Sequence, residues 1–217
     1  NAKVNLLLHC CCGPCATAVA DHFRRLGDQV AAWFFNPNIH PEEERRRREE
    51  TLAQAAKAMS LRLLPSGSGM ALGDFLLAIA RQGSPRCRGC YQLRLEATAR
   101  EAARNGYEGF SSTLLVSPYQ DLEAIREIGQ RAGARQGVLF QYCDLRGRYG
   151  ESCERAREMA LYRQHHCGCL FSALERAERR ARRAIANSLS QAAFVASAAR
   201  CRSNRKAGGT GLKPVPT

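Results

Sequence analysis

Short apolar runs alternate with longer helix-forming stretches along this 217-residue chain, and this alternation constrains the fold more than any other feature. Runs with the length and apolar content of buried strands lie at residues 4–8, 30–35, 61–64, 110–115 and 138–142. Helices are predicted at residues 15–26, 41–59, 72–81, 84–105, 122–131, 151–162 and 173–199. This order predicts an α/β sandwich with a mostly parallel sheet, in which ligands gather at the carboxyl ends of the strands.

The last part of the chain differs in composition from the rest. Ala, Arg and Leu predict an extra helix at residues 173–199, whereas Gly and Pro with little apolar content predict a disordered tail at 200–217. We therefore expect the α/β domain to span residues 1–172. The net charge is +13, and residues 173–217 hold 10 Lys/Arg against 2 Glu, a net of +8. This favours a polyanionic partner such as nucleic acid, with a solvated basic tail as the alternative.

Eleven cysteines are present, and most of them lie in three short groups. We see no signal peptide and no apolar run of the about 20 residues that a membrane helix needs. We therefore expect a cytoplasmic protein without membrane association. In that reducing compartment clustered thiols serve as metal ligands or working thiols. The groups are Cys10, Cys11, Cys12 and Cys15; Cys87 and Cys90; and Cys167 and Cys169.

The first two groups have the spacing of metal ligands. Cys87 and Cys90 are three residues apart, so on the first turn of a helix both sulfurs face the same side. The positive end of that helix also favours the thiolate form. Three adjacent residues cannot all point the same way, so about two of the thiols at 10–12 would complete a set of four, as in a [4Fe–4S] cluster or tetrahedral zinc. Cys15 is a fifth thiol, which favours a working site over a closed structural one.

A single residue, Gly168, separates Cys167 from Cys169. This spacing is awkward for chelating a metal, but Gly168 permits the tight geometry of a small strained disulfide. Strained disulfides are easily reduced and can relay two electrons. The pattern therefore indicates a redox-active pair, with two unrelated thiols in a turn as the alternative.

Together these motifs resemble the QueH family of epoxyqueuosine reductases over roughly residues 4–172. Several separate motifs match in the same order, which is far more specific than any one C-x-x-C. They are residues 9–15 for H-x-C-C-G-P-C, 35–39 for the N-P-N loop, 86–91 with 94–95 around the C-x-x-C, 112–118, 142–146, and 161–164 ahead of the C-G-C at 167–169.

The resemblance implies a fold similar to adenine-nucleotide α-hydrolases, which are Rossmann-like, with residues 1–172 as a catalytic iron–sulfur domain. The implied reaction is the reduction of epoxyqueuosine to queuosine in tRNA, the last step of queuosine biosynthesis. Carried over by position, the redox-active pair would be Cys167 and Cys169. The ligands of a [4Fe–4S] cluster would be Cys11, Cys12, Cys87 and Cys90.

Further site residues are implied by the same resemblance. In some relatives Asp stands where this chain has Cys15, and an additional metal is associated with that region. Cys15 is therefore the candidate ligand for a second iron or zinc ion. The implied partners are tRNA carrying epoxyqueuosine and an electron donor that the sequence does not identify. Candidate substrate-binding residues are Asn36, Asn38, Arg94, Tyr162 and Arg163.

Two other interpretations stay open. An ATP-dependent tRNA-thiolation enzyme also joins a nucleotide-hydrolase-like fold to cysteines, but no G-x-x-x-x-G-K-[ST] or S-G-G-x-D-S phosphate-binding loop occurs in the sequence. A zinc-stapled RNA-binding module without catalysis would also account for the cysteines and the basic charge. Near-stoichiometric zinc with no brown chromophore would support that module.

Overall fold

The computed structural model describes residues 4–81 and 85–207, with side chains described to residue 191. The chain divides into two units, Asn1–Leu170 and Phe171–Thr217. The first unit contains the sheet and all three cysteine groups, and the second contains most of one long helix.

Five parallel strands form a single sheet among the described residues, in the order β3-β2-β1-β4-β5. The predicted α/β class with a mostly parallel sheet is confirmed. The order reverses next to β1, which lies between β2 and β4, as in Rossmann-like folds. Ligand sites in such sheets form at this reversal, beyond the carboxyl ends of the strands. The strands are β1 (Asn5–His9), β2 (Gln29–Trp33), β3 (Arg62–Leu63), β4 (Gly109–Ser112) and β5 (Leu139–Phe140).

Helices of the first unit cover both faces of the sheet, and one further helix lies almost entirely in the second unit. They are α1 (Gly13–Arg25), α2 (Glu42–Ala58), α3 (Leu72–Ala80), α4 (Arg86–Arg104), α5 (Leu122–Gln136), α6 (Tyr149–Glu158) and α7 (Leu170–Ala207), with 3₁₀ turns at Thr113–Val116 and Arg146–Arg148. On one face Leu6 of β1 packs with Phe23 of α1. On the other face Leu7 packs with Leu95 of α4 and Ile125 of α5. Because both faces are buried, β1 is an apolar run rather than an alternating one.

Two predicted elements end earlier than expected. The strand predicted at 110–115 stops at Ser112, whose hydroxyl accepts a hydrogen bond from Leu114 N and caps a 3₁₀ turn. The helix predicted at 151–162 begins at Tyr149 and ends at Glu158, followed by a turn in which Ala160 has a positive φ of 50°. The segment that leads to the third cysteine group is therefore a loop rather than a helix.

The C-terminal helix is longer than predicted. Helix α7 runs from Leu170 to Ala207, so residues 200–207 are helical where we expected disorder. The physical reason is that Gly and Pro are absent from residues 170–207 and begin only at Gly208. Residues 208–217 of the predicted tail lie outside the described residues, and the division at 172 and 199 stays a prediction. Among the described helices, none has the length and hydrophobicity that crossing a bilayer requires.

Candidate metal and thiol site

Three thiols converge at the carboxyl end of β1, where the chain enters α1. The Sγ atoms of Cys11, Cys12 and Cys15 lie within 4.8 Å of one another, and those of Cys11 and Cys12 are 3.7 Å apart. Cys12 is the N-cap residue of α1, and Cys15 lies in its first turn. The unpaired N–H groups and the positive dipole of a helix start stabilise negative charge on nearby sulfurs. The N-terminal end of α1 is therefore suited to thiolate ligands.

Cys10 is the member of the run that turns away from this group. Its Sγ donates to the backbone oxygen of Leu8 at 3.4 Å, inside the core formed with α1. Burial raises the pKa of Cys10 well above its ordinary value. Of the three adjacent thiols, Cys11 and Cys12 are therefore the two whose sulfurs lie in the group with Cys15.

Cys11 is the member of the group that ionises most readily. Hydrogen bonds with Cys12 and Cys15, together with one from Thr113, outweigh burial and lower the pKa of Cys11 well below its ordinary value. The bond with Cys11 correspondingly raises the pKa of Cys15, and burial is the main cause that raises the pKa of Cys12. Cys11 is therefore the thiol of this group whose ionised form its neighbours stabilise most.

His9 joins the carboxyl ends of three neighbouring strands. It is fully buried, with Nδ1 2.9 Å from Ser112 Oγ and Nε2 3.0 Å from the backbone oxygen of Phe35. A carbonyl oxygen only accepts, so Nε2 carries the proton and Nδ1 accepts from the Ser112 hydroxyl. Burial, and next the charge of Arg94, lower the pKa of His9 to about 4. His9 is thus a neutral bridge that holds β1, β2 and β4 in register beside the thiols.

Cys87 lies in the first turn of α4 and Cys90 at the start of the second turn, so the pair is on a helix as the sequence predicted. Cys87 is exposed and Cys90 is buried. Burial raises the pKa of Cys90, while the neighbouring Arg94 opposes that rise. Both predicted ligand pairs therefore lie at N-terminal ends of helices, although Cys87 and Cys90 are outside the 4.8 Å group at α1.

Arg94 connects the three cysteine groups electrostatically. It is 1% exposed, and its Nε donates to the backbone oxygen of Cys90 at 3.3 Å. Burial acts to lower the pKa of its guanidinium, but Cys90, Cys167 and Cys11 raise the pKa above the ordinary value. Its NH2 nitrogen has no hydrogen-bond partner among the described residues. A buried cation with a donor to spare therefore lies among thiols from all three groups.

Cys167 and Cys169 lie on the loop between α6 and α7, and their side chains are hydrogen-bonded to each other. That bond, and next burial, raise the pKa of Cys167 well above its ordinary value. Cys167 is present as a thiol rather than as half of a disulfide. Gly168 between them has φ +113°, which a residue with a side chain rarely adopts. The backbone at position 168 therefore has a conformation that favours glycine, as the tight Cys-Gly-Cys spacing predicted.

The predicted substrate-binding residues occupy different surroundings. Asn36 and Asn38 are buried, and Asn36 Oδ1 and both amide atoms of Asn38 have no partner among the described residues. Tyr162 instead donates its hydroxyl to Glu44 at 2.8 Å, and burial followed by this bond raises its pKa. Arg163 is exposed. Asn36 and Asn38 thus present buried amides, whereas the Tyr162 hydroxyl is engaged with α2.

Three residues that approach the cysteines were not singled out by the sequence reasoning. Thr113 accepts from Cys11 N at 3.0 Å and donates to Cys11 Sγ at 3.3 Å. Gln164 donates to Cys12 Sγ at 2.8 Å, and its Oε1 is buried without a partner among the described residues. Arg48 donates to the backbone oxygen of Cys167 at 2.9 Å. Thr113 and Gln164 lie within the matching motifs, but nothing in the local sequence marks Arg48 among its neighbouring arginines.

The fold and this site define a class of protein. It is a Rossmann-like α/β protein whose first strand leads into clustered thiols at the start of a helix, at the edge of the sheet where such folds bind their ligands. A thiol site of this kind is typical of metal-dependent or redox enzymes.

Comparison with known proteins identifies the family within that class. The family model described as epoxyqueuosine reductase QueH matches residues 6–175. A relative of that name from Dehalococcoides mccartyi is 36% identical, covering 79% of this chain and 93% of its own. Another from Thermotoga maritima is also 36% identical, covering 81% of this chain and 94% of its own. The chain belongs to the QueH family and is an oxidoreductase enzyme.

More distant similarities extend the comparison. A relative named epoxyqueuosine reductase QueH from Staphylococcus epidermidis is 30% identical, covering 80% of this chain and 78% of its own. A solved structure described as a predicted subunit of tRNA methyltransferase from Methanocaldococcus jannaschii aligns with 71% of this chain and 88% of its own, at 14% identity and a TM-score of 0.41. The family assignment does not depend on that structure.

Proposed function

We propose that this chain reduces epoxyqueuosine to queuosine in tRNA. Membership in the QueH family supports the reaction, and one structural observation supports the site. Thiols from all three cysteine groups, Cys11, Cys90 and Cys167, interact electrostatically with the same buried cation, Arg94. Segments that are distant in the sequence therefore meet in one electrostatic unit, as a shared redox site requires.

The residues present suit the [4Fe–4S] cluster that the family implies. Cys11, Cys12, Cys87 and Cys90 are the proposed ligands, and they lie at the starts of α1 and α4. Helix N-termini favour thiolates, and the neighbouring positive charge of Arg94 offsets part of the charge that four thiolates bring. When bound, such a cluster supplies electrons one at a time.

A second metal ion, iron or zinc, is proposed at Cys15. Tetrahedral coordination with a metal–sulfur distance of about 2.3 Å places two sulfurs about 3.8 Å apart. The observed 3.7 Å between the Sγ atoms of Cys11 and Cys12 is close to that value, and Cys15 completes a set of three thiols. The spacing of these thiols therefore suits a single ion, and Cys15 is the thiol of the three that the proposed cluster does not use. Metal analysis of the Cys15→Ala variant tests this ion separately from the cluster.

The Cys167–Cys169 dithiol is proposed to provide the electron pair. Removing the epoxide oxygen forms a carbon–carbon double bond and needs two electrons and two protons. Two thiols that become a disulfide supply both, and the oxygen leaves as water. An external electron donor must then reduce the disulfide before the next turnover. Burial and the mutual hydrogen bond raise the pKa of Cys167, so it retains its proton near neutral pH until the reaction.

The buried amides and the spare donor of Arg94 are proposed to bind the substrate. Buried polar atoms without partners are costly, so Asn36 Oδ1, the Asn38 amide and Arg94 NH2 favour a polar ligand. Tyr162 is more suited to supporting the loop, because its hydroxyl donates to Glu44. Arg163 is exposed and is proposed to contact the tRNA backbone.

Helix α7 is proposed to add general affinity for tRNA. Four of the arginines, Arg176, Arg179, Arg180 and Arg183, recur at three- and four-residue spacings, which places them on one side of the helix. Arg182 lies nearer the other side and pairs with Glu178 at 2.7 Å. Leu174, Ile185 and Leu189 lie on the other side and are 59%, 61% and 66% exposed. Arginine contacts with phosphates give affinity without base specificity. The arginines in the first half of the helix are Arg176, Arg179, Arg180, Arg182 and Arg183.

The proposed function is tested on protein purified anaerobically. Absorbance, iron content and sulfide content report the cluster, and mass spectrometry of nucleosides after incubation with epoxyqueuosine-containing tRNA and a chemical reductant reports conversion to queuosine. We expect a brown protein with at least four irons per chain and conversion of the nucleoside. Stoichiometric zinc, no chromophore and no conversion would instead indicate the zinc-stapled RNA-binding module.

A further inference from the structure

Arg48 is a buried cation on the face of α2 that contacts the third cysteine group. Its side chain is 1% exposed, and it pairs with Glu44, one turn earlier on the same helix, at 2.7 Å. Its NH1 donates to the backbone oxygen of Cys167 at 2.9 Å, and its NH2 donates to that of His166 at 3.2 Å. Burying a guanidinium is costly unless its donors are satisfied, so this arrangement indicates a specific role.

Donors from residues 40–48, at and before the start of α2, bind three consecutive carbonyl groups of the loop. Arg48 binds the backbone oxygens of His166 and Cys167, and the backbone N–H of His40 binds that of Gly168 at 3.0 Å. A Cβ atom at Gly168 would lie 2.9 Å from Ile39 Cγ1 and 3.0 Å from Arg48 NH1. The loop backbone is therefore held directly against this segment, on both sides of the positive-φ glycine.

A second layer of contacts holds Arg48 itself. The other carboxylate oxygen of Glu44 accepts from the Tyr162 hydroxyl at 2.8 Å. The Arg47 guanidinium lies over the Tyr162 ring, 4.4 Å from its centre. Burial acts to raise the pKa of Glu44, but the bonds from Arg48 and Tyr162 lower it overall, so Glu44 stays ionised. Tyr162 lies near the start of the loop between α6 and α7, so side chains of α2 bind this loop at Tyr162 and again at the third cysteine group.

We propose that Arg48 is a positioning residue that holds the Cys167–Gly168–Cys169 backbone in the conformation in which the two thiols can close into a disulfide. This inference rests on the proposed function of Cys167 and Cys169 as the redox pair. It goes beyond that function by assigning the redox equilibrium of the pair to a residue 119 positions away from Cys167, which binds the backbone carbonyls of the loop.

The expected effect follows from the entropy of closing the loop. Disulfide formation requires the two sulfurs to stay adjacent, and a loop already held by three carbonyl bonds loses little further freedom when the bond forms. Lysine at position 48 would keep the charge opposite Glu44 but has a single nitrogen that cannot reach two carbonyls and the carboxylate together. Losing one charge-assisted hydrogen bond corresponds to about a tenfold change in an equilibrium constant.

The experiment measures the dithiol–disulfide equilibrium of the pair in the holoenzyme. Protein is equilibrated anaerobically with mixtures of reduced and oxidised dithiothreitol, then alkylated, and the modification of Cys167 and Cys169 is read by peptide mass spectrometry. In the reaction the dithiothreitol disulfide takes two electrons and two protons from the thiols as their sulfur–sulfur bond forms. We expect Arg48→Lys to shift the midpoint about tenfold against the disulfide, with iron content and melting temperature near those of the parent.

Arg45→Lys is the matched control. Arg45 lies on the same helix and donates to Glu42 and Glu49 at 2.8 and 2.9 Å, so the substitution repeats the same chemical change away from the loop carbonyls. An unchanged midpoint in Arg48→Lys, or an equal shift in Arg45→Lys, would overturn the positioning role. Should Arg48→Lys not fold, Glu44→Gln provides the second variant, because it weakens the hold on Arg48 and should shift the midpoint in the same direction.

Failure of the proposed function gives a different result. If the parent forms no Cys167–Cys169 disulfide in any buffer, the redox pair and this inference both fall. A second outcome is that the parent forms the disulfide and Arg48→Lys shifts its midpoint, but Cys169→Ser sustains multiple turnover. The positioning role of Arg48 is then supported, and the assignment of Cys167 and Cys169 as the catalytic redox pair is wrong. The equilibrium measurement and the turnover measurement therefore separate the two.

Discussion

Thr113 binds Cys11 twice, accepting from its backbone N–H at 3.0 Å and donating to its sulfur at 3.3 Å. Cys11 follows β1 and Thr113 follows the neighbouring β4, so this pair fixes the thiol across the reversal of strand order. Thr113→Val removes both bonds while nearly keeping the shape. We expect a loss of about 1–3 kcal/mol in the free energy of unfolding, because the Cys11 N–H loses its partner.

The control for this pair is Thr113→Ser, which retains the hydroxyl. Urea denaturation should give the serine variant a stability close to that of the parent, and the valine variant should bind iron less completely. Equal losses in the two variants would mean that the methyl group, rather than the hydroxyl, matters at this position.

The cluster assignment predicts the outcome of removing the ligands on α4. Replacing Cys87 and Cys90 by Ser should abolish the brown chromophore and the reductase activity, because two of the four proposed thiolates are lost. Iron and sulfide analysis with the visible spectrum measures this. Cys143→Ser is a suitable control, because Cys143 lies outside the three groups. Full iron content in the double variant would contradict the assignment.

The Cys167–Cys169 pair should serve turnover rather than cluster assembly. The Cys169→Ser protein should keep its iron and lose multiple turnover, because a lone thiol cannot form the intramolecular disulfide. Iron content and the time course of queuosine formation at limiting enzyme provide the measurement. Loss of the cluster in this variant would make these residues ligands instead.

The lowered pKa of Asp21 predicts that the stability of the fold depends on pH. Burial acts to raise its pKa, but the bond from Arg148 and the charges of Arg155 and Arg25 lower it below the ordinary 3.8. A lowered carboxyl pKa stabilises the fold above the ordinary value, and this stabilisation is lost as the pH falls through the folded pKa. Because the Asp21 side chain is 22% exposed, we expect its ionised form to contribute about 1 kcal/mol to the free energy of unfolding.

The Asp21→Asn variant tests this by thermal denaturation across pH. It should be less stable than the parent near neutral pH, and the difference should shrink as the pH falls below the ordinary carboxyl pKa. A constant difference at every pH would show that the ion pairs between α1 and α6 do not carry the effect.

The basic C-terminal segment should contribute to tRNA affinity through phosphates. Binding should weaken steeply with salt, with a log–log slope of about −0.7 to −0.9 per contact. Deleting residues 200–217 should flatten that slope by a few units at most and leave the chemistry on saturating tRNA intact. Filter binding over a salt series measures the slope. The basic residues removed are Arg200, Arg202, Arg205, Lys206 and Lys213.

An unchanged salt slope after the deletion would show that residues 200–217 are solvated and do not contact the phosphates of tRNA. Replacing Arg182 and Arg183 of α7 by Gln then asks whether the helix itself binds phosphates. If that slope is also unchanged, the tRNA contacts must lie on the folded α/β domain.

The amino-acid sequence by itself determined the α/β class, the parallel sheet and the two cysteine groups at helix starts. These features depend on local periodicity, on Pro and Gly positions and on i, i+3 spacing, which short stretches contain. The Cys-Gly-Cys turn was equally local, because its tight backbone needs Gly168.

Only the tertiary structure decided which thiols meet and what holds them. Cys10 and Cys11 are chemically identical neighbours, yet one enters the core and the other bonds to Thr113, 102 positions away. Arg48 lies in a run of four arginines and is the one in that run that binds the Cys167 carbonyl. Such choices depend on contacts between distant segments, where burial and geometry rather than residue type select the partner.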